Sequence, residues 1–176
     1  TSCSEIISSQ YPRSAFKTPY IHSLFENTPA VATGVVRALR AMGNDHTQVV
    51  IIAGDGATYD IGFGAMSGAM ERNEDIIYIC YDNEAYMNTG VQRSSATPPL
   101  AKTTTSPVGS KIHGKVMPKK PIVEICAAHG IPYSASASIA YLPDFKAKLE
   151  KAKAMKGFRF IDVISPCVPG WGYDPA

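Results

Sequence analysis

Residues 48–54, QVVIIAG, run into 55–62, DGATYDIG, and are followed at 75–82 by DIIYICYD. The first of these runs is short, rich in β-branched residues and bounded by turn chemistry, so it reads as a strand buried on both faces, as in a parallel sheet. DIIYICYD reads as a second strand. Between them, Asp60 can cap a helix, IGFGAMSGAMER, whose small residues permit close packing on a sheet. Working outward toward the amino end, Asn27 can cap a helix that carries Pro29 near its first turn and closes at Gly43, with Val31, Val35, Leu39 and Met42 on one stripe. In the other direction, residues 84–120 show no sustained periodicity, contain several prolines and include KTTTSP, the signature of a long loop. Loops of that length are usually functional or disordered. Alternation then resumes: a helix from Pro121 to His129 ended by Gly130, a strand near YSASAS, a helix from Pro143 to Lys156 with Phe145, Leu149 and Ala152 on one face, and the strand FRFIDVIS. The order predicts an α/β fold: a doubly wound, mainly parallel sheet with helices on both faces and right-handed crossovers.

Bulk properties narrow the function without naming it. At 176 residues and 45% hydrophobic content the chain can bury one sizeable core, so residues 1–176 are read as a single domain. A formal charge of +2 gives no reason to expect nucleic acid or a polyanionic membrane surface as partner. No apolar run approaches the roughly 18 residues of a membrane span, and the start lacks a signal-peptide pattern, so a soluble, cytoplasmic protein is expected. The four cysteines, at 3, 80, 126 and 167, form no CxxC pair, and disulfides are not expected. Cys80 and Cys126 fall inside predicted elements and are read as core. The chain begins without methionine and meets Cys3 almost at once, which predicts that upstream residues of the same domain lie outside it.

In open α/β sheets, ligands collect at the carboxyl ends of the strands. The first strand ends in Gly54, Asp55 and Gly56: the glycines let backbone approach a ligand closely, and the carboxylate can take a hard cation. A bare carboxylate repels a diphosphate, whereas magnesium between them bridges carboxylate and phosphate oxygens. The second strand ends in Asp82, Asn83, Glu84 and Ala85, offering an amide oxygen from Asn83 and a backbone carbonyl from Ala85 to the same ion. Magnesium prefers six oxygens and keeps phosphate and water among them, so three protein ligands suffice. The helix capped near Asp60 can point its first amides at the diphosphate. Taken alone, GDG is ordinary turn chemistry; what is informative is Asp55 paired with Asn83 at an offset of 28 residues, with a helix and a strand between.

The segment GDGATYDIGFGAMSGAMERNEDIIYICYDNEAYMNTGVQRSSATP resembles the thiamine diphosphate segment of the β subunits of pyruvate:ferredoxin oxidoreductases, or pyruvate synthases, within the 2-oxoacid:ferredoxin oxidoreductase family. The likeness extends through SEIISSQYPRSAFKTPYIHSLFEN, KTTTSP, IVEICAAHGIPYSASASIAYLPDF and SPCVPGWGYDP. The resemblance implies that Asp55 and Asn83 bind magnesium through side chains and Ala85 through its carbonyl, with Asn88 and Thr89 beside the thiazolium and the reacting carbon. It implies oxidative decarboxylation of a 2-oxoacid with coenzyme A and ferredoxin, pyruvate first and branched-chain or aryl 2-oxoacids as alternatives. It also implies a 4Fe–4S cluster held by Cys3, Cys167 and an upstream CxxC that this chain lacks. A catalytic glutamate against the cofactor's pyrimidine is implied on a partner α subunit, with a ferredoxin-like subunit in the same complex, so this chain alone is expected to be inactive.

Other features are weaker. Arg93, Lys102, Lys111, Lys115, Lys119 and Lys120 lie between Glu84 and Glu124 with no acid among them, either a docking surface for acidic ferredoxin or coenzyme A phosphates or a solvated loop. His22 is a candidate phosphate or substrate contact, because the resemblance places its segment near the cofactor, and Trp171 is read as packing. Two other functions fit parts of the pattern. Glycines 62, 64 and 68 suggest a noncatalytic Rossmann-type nucleotide-binding module, but GxGxxxG inside a helix is a weak signal. A nonoxidative thiamine diphosphate decarboxylase shares the GDG and asparagine logic, and NTGVQRSSATP and the cysteines argue against it.

Overall fold

The structure, a computed structural model, describes Ser8, Pro12 and residues 14–174. Its sheet has four strands, β1 (Val49–Gly54), β2 (Ile76–Asp82), β3 (Tyr133–Ser138) and β4 (Phe158–Ile164), in the order β1-β2-β4-β3. All three pairings are parallel, with Gly54 beside Tyr81 and Asp82 beside Ile164. The helices are α1 (Thr28–Ala41), α2 (Phe63–Glu71), α3 (Ile122–Ala128), α4 (Leu142–Lys153) and the single turn α5 (Val168–Trp171).

Strand alternation divides the sheet into two faces. Ile51, Ala53, Ile76, Tyr78, Cys80, Phe158 and Phe160 join the larger core, with Ala32 and Val36 of α1, Met66, Ala69 and Met70 of α2, and Ile122 and Cys126 of α3. Ile161, Val163 and Ala137 form a smaller core on the opposite face, where Phe145, Leu149 and Ala152 of α4 cover it. The expected α4 stripe and the expected core positions of Cys80 and Cys126 are thus observed, as is the sheet with helices on both faces. Each fully buried aromatic contributes about 1.5–3 kcal/mol over its exposed state, and Tyr78, Phe158 and Phe160 stack in one tilted row through the larger core.

Three expectations are corrected here. β1 is an edge strand, and Val50 and Ile52 are 48% and 41% exposed, so it is buried on one face only. On α1 the buried residues are Pro29, Ala32 and Val36 rather than the Val31, Val35, Leu39, Met42 stripe; Met42 is exposed. Both errors arise from reading apolar content without knowing which side a neighbour occupies. Asp60 does not cap a helix: α2 begins at Phe63 after a π-helical turn, Gly56–Ile61, closed by the Gly62 N–H on the Ala57 carbonyl. No described helix is long and apolar enough to cross a membrane.

Candidate functional site

The π-helical turn starts at the carboxyl end of β1 and presents three consecutive side chains to three different supports, a use of the wide turn seen at functional sites. Thr58 donates to the Gly54 carbonyl at 2.7 Å, fixing the strand end. Tyr59 donates its hydroxyl toward Asp82 at 3.1 Å and Asp162 at 2.8 Å. Asp60 accepts from the Ser95 amide and the Tyr86 hydroxyl, both at 3.1 Å, and from the Ser95 hydroxyl. Asp60 therefore anchors the long loop instead of starting a helix. The glycines of the GDG turn answer first to internal neighbours: a Cβ on Gly56 would sit 2.7 Å from Tyr86 Cδ1, and one on Gly54 would press on the Tyr81 ring.

Asp55 itself is 2% exposed. Burial pushes its carboxyl up to about 7; the Ser94 hydroxyl, 2.5 Å from Oδ2, works against that shift, and the nearby Asp82 and Asp60 charges add to it. The other oxygen, Oδ1, faces the amide of Asn83. One terminal atom of that amide lies 3.0 Å from Asp55 Oδ1 and 2.6 Å from the Ala85 carbonyl. With nitrogen there, both contacts are hydrogen bonds. With oxygen there, three oxygens from two strand ends converge with no proton between them, an arrangement that a cation balances. Adjacent oxygens around octahedral magnesium at 2.0–2.1 Å stand about 3 Å apart, so the donor set fits that ion in chemistry and in size. Among the described residues no group of three or more His, Cys, Asp or Glu is arranged to hold a metal; the set at Asp55 is one carboxylate with neutral oxygens, suited to a hard cation that also takes phosphate.

The long loop between β2 and α3 contains no helix or strand, as expected, yet it is built into the site. Ser94, Ala96, Thr97, Thr103 and Ser106 are buried, and isolated bridges join Tyr86 to Gln92, Thr103 to Ser106 and Val108 to His113. Thr97 donates to the Glu84 carbonyl at 2.6 Å. Lys115, 2% exposed, donates to the carbonyls of Ser95, Thr97 and Pro118. Lys119 pairs with Asp82 and Glu84, and Lys120 donates to the Tyr59 carbonyl. This corrects the view of the loop's basic residues as one solvated or docking surface: Lys115, Lys119 and Lys120 are internal fasteners, while Arg93, Lys102 and Lys111 are exposed.

Asn88 and Thr89 lie on an exposed turn that begins three residues past Ala85; Thr89 bonds the Gln92 side chain at 2.5 Å. Cys167 is partly exposed at the start of α5, and Cys3 lies outside the described residues. His22 is exposed ahead of α1. Trp171 does more than pack: its Nε1–H donates to the Asn83 carbonyl at 3.0 Å. The sequence reading has no role for Asp162 or Ser94, and it gives Lys115 and Lys119 a surface role where they are internal. Asp162 is 4% exposed, accepts from Tyr59, and is pushed by burial, with Asp82 adding to it, up to about 6. An acid inside FRFIDVIS was a signal available in the sequence, because buried strands rarely carry one unpaired.

A buried carboxylate turn at one parallel strand end faces an amide and a carbonyl at the next. Residues 1–163 match the family described as thiamine pyrophosphate enzyme, C-terminal TPP binding domain. The chain belongs to that family. Over 176 residues it is 57% identical to pyruvate synthase subunit PorB of Methanothermobacter thermautotrophicus, covering 100% of this chain and 61% of that one. It is 49% identical over 174 residues to ketoisovalerate oxidoreductase subunit VorB of Pyrococcus furiosus, covering 96% of this chain and 56% of that one. Among solved structures, 2-oxoglutarate:ferredoxin oxidoreductase from Magnetococcus marinus, with 2-oxoglutarate, coenzyme A and succinyl-CoA bound, superposes with a TM-score of 0.76 at 26% identity, covering 88% of this chain and 49% of that one. The chain thus spans about three fifths of the length of the curated relatives it matches. The likeness to 2-oxoacid:ferredoxin oxidoreductase β subunits read from the motifs is found along the whole chain, and the Rossmann-type nucleotide module is set aside by the family match.

Proposed function

We propose that this chain holds the magnesium and diphosphate of thiamine diphosphate in a cytoplasmic 2-oxoacid:ferredoxin oxidoreductase. The reaction is pyruvate, coenzyme A and oxidised ferredoxin to acetyl-CoA, carbon dioxide and reduced ferredoxin, or its reverse. Pyruvate is put first because the relatives matching at 52–57% are pyruvate synthase subunits, whereas at 48–49% PorB and VorB relatives match alike. The observation that carries the reading is a terminal atom of the Asn83 amide 3.0 Å from Asp55 Oδ1 and 2.6 Å from the Ala85 carbonyl.

When bound, thiamine diphosphate supplies the carbon nucleophile and electron sink for cleaving the 2-oxoacid. The residues of this chain bind and orient it. Asp55, Asn83 and Ala85 hold the cation, which neutralises the diphosphate beside an otherwise repellent carboxylate. Ser94 orients Asp55 from behind, and the loop around Ala96 and Thr97 keeps water from that side. Gly54 and Gly56 shape the turn on which Asp55 sits, and Asn88 and Thr89, on their exposed turn, face outward where substrate and a partner subunit can reach them. The acid that activates the cofactor's pyrimidine comes in this reading from an α subunit, with a ferredoxin-like subunit completing the complex. Glu74, for example, is committed to Arg37 and Arg72. Cys167, with Cys3, is offered to a 4Fe–4S cluster, whose four thiolates need two further ligands.

The test is the acid-released thiamine diphosphate, magnesium and iron of the native assembly, against an Asp55→Ala assembly. Thiamine diphosphate and magnesium present in the first and lost in the second are expected, with iron distinguishing a ferredoxin-linked enzyme from a simple decarboxylase. A native assembly without thiamine diphosphate would overturn the reading.

A further inference from the structure

Asn83 stands between two acids that share one ammonium. Lys119 Nζ lies 2.5 Å from Asp82 Oδ2 and 3.0 Å from Glu84 Oε1, although it enters from the far end of the long loop, 37 residues from Asp82. We infer that Lys119 is a positioning residue for the ion site: by bracketing Asp82 and Glu84 it holds the intervening Asn83 amide and the following Ala85 carbonyl turned toward Asp55. The inference rests on the reading of Asp55, Asn83 and Ala85 as that site.

The backbone explains why a bracket is needed. Glu84 has φ 69°, a left-handed conformation that residues with side chains seldom adopt. It lies between the two residues whose oxygens must converge, so relaxation at Glu84 toward ordinary dihedrals would swing the Ala85 carbonyl away from the Asn83 amide. Strain of this kind persists only where surrounding contacts over-determine it. Here they do: the Glu84 amide donates to Asp82 Oδ1 at 2.9 Å, Thr97 Oγ1 donates to the Glu84 carbonyl at 2.6 Å, and Trp171 Nε1 donates to the Asn83 carbonyl at 3.0 Å. Those three fix backbone groups. Lys119 instead ties the side chains on both sides of Asn83. It also brings positive charge to a buried region that holds Asp55, Asp82 and Asp162 and would receive a polyanion.

Lys119 acts through the Asp82 and Glu84 carboxylates, so its effect is read through ligand binding. The experiment uses the native subunit assembly stripped of metal, reloaded with thiamine diphosphate and titrated with Mn2+ by electron paramagnetic resonance. Lys119→Met is expected to weaken Mn2+ binding about 10- to 100-fold, the range for groups that orient metal ligands, and to raise the cofactor's KM with most of kcat recovered at saturation. Lys119→Arg, which keeps a cation able to reach both carboxylates, is expected to restore most of the affinity. Unchanged affinity in folded Lys119→Met, or equal loss in the Met and Arg variants, would overturn the inference. Should Lys119→Met fail to assemble, Glu84→Gln opens one side of the bracket: a smaller loss of Mn2+ affinity supports the inference and no loss overturns it. A native assembly that binds no Mn2+ would instead overturn the ion-site reading, and this inference with it.

Discussion

Ser94 donates its hydroxyl to Asp55 Oδ2 at 2.5 Å across 39 residues of sequence, and both side chains are buried. The long loop is therefore the back wall of the acidic turn. Ser94→Ala removes the larger of two hydrogen-bond contributions, the other from the backbone, that lower the Asp55 carboxyl's proton affinity against its burial. Hydrogen bonds to charged groups are worth about 1.5–3 kcal/mol, so magnesium affinity near neutral pH should fall about tenfold or more, measured by titration calorimetry in the presence of thiamine diphosphate. An affinity within twofold of wild type would show that Asp55 is oriented without Ser94.

Asp55 also predicts a pH dependence whose sign is opposite to that of a salt-bridged acid. Its folded carboxyl is pushed up to about 7, above the ordinary 3.8, chiefly by burial. The ion-free folded state thus binds this proton more tightly than the unfolded state, and its contribution to stability is greatest below pH 3.8 and declines as pH rises toward about 7. Asp162, raised to about 6, acts in the same direction. The metal-free protein should melt at higher temperature at pH 6 than at pH 8 by this contribution, and Asp55→Asn should flatten the difference. Magnesium requires the ionised carboxylate, so its affinity should fall as pH drops below about 7; a flat metal affinity between pH 6 and 8 would contradict the assigned role of Asp55.

The strands, α3 and α4 were legible because their apolar period and punctuation are local properties: QVVIIAG, DIIYICYD, YSASAS and FRFIDVIS each lie at an observed strand. The meeting of Asp55 and Asn83 was legible for a related reason, since neighbouring strand ends in a parallel sheet bring them together whatever the loops do. What could not be read is everything fixed by long-range pairing. Nothing local distinguishes Lys115, a buried three-carbonyl donor, from exposed Lys111. Asp60 looked like a cap because its partners, Tyr86 and Ser95, lie 26 and 35 residues on. Val50 and Ile52 are exposed because α4, which covers that face, packs over β3 and β4 and not over β1 at the far edge, which strand patterning does not encode.

Lys115 gives a prediction about the loop itself. Its ammonium satisfies the Ser95, Thr97 and Pro118 carbonyls at 3.0, 2.5 and 3.1 Å, joining both ends of a segment with no regular structure. Lys115→Met keeps the aliphatic stem and removes all three bonds. Buried groups left unsatisfied cost about 1–3 kcal/mol each, and partial exposure of the carbonyls recovers some of that, so a loss of about 2–4 kcal/mol is expected in chemical denaturation. Limited proteolysis should cut first between Pro98 and Pro118. Unchanged cleavage with unchanged stability would mean that the remaining ties, among them those of Ser94, Ser95, Thr97, Lys119 and Lys120, hold the loop without Lys115.

Gly56 separates steric from chemical reasons for the GDG turn. Its backbone is helical, and Asp55 before it is at φ −60° and ψ −43°, so alanine meets no conformational penalty there. What it meets is the Tyr86 ring, whose Cδ1 would stand 2.7 Å from the new Cβ. Tyr86 must then move, and with it the hydroxyl that bonds Asp60 at 3.1 Å and the Gly56 carbonyl at 3.3 Å. Because Tyr86 follows Ala85, its displacement also shifts the candidate carbonyl ligand. Overpacking of this kind costs about 1–3 kcal/mol, and Gly56→Ala should lower both melting temperature and magnesium affinity. Replacing Tyr86 by leucine in the same chain opens the space and should recover stability, but not the Asp60 bond. If the double variant also regained full metal affinity, packing alone would explain Gly56. If affinity stayed low while stability returned, the Tyr86–Asp60 tie would be part of what sets the Ala85 carbonyl against Asp55.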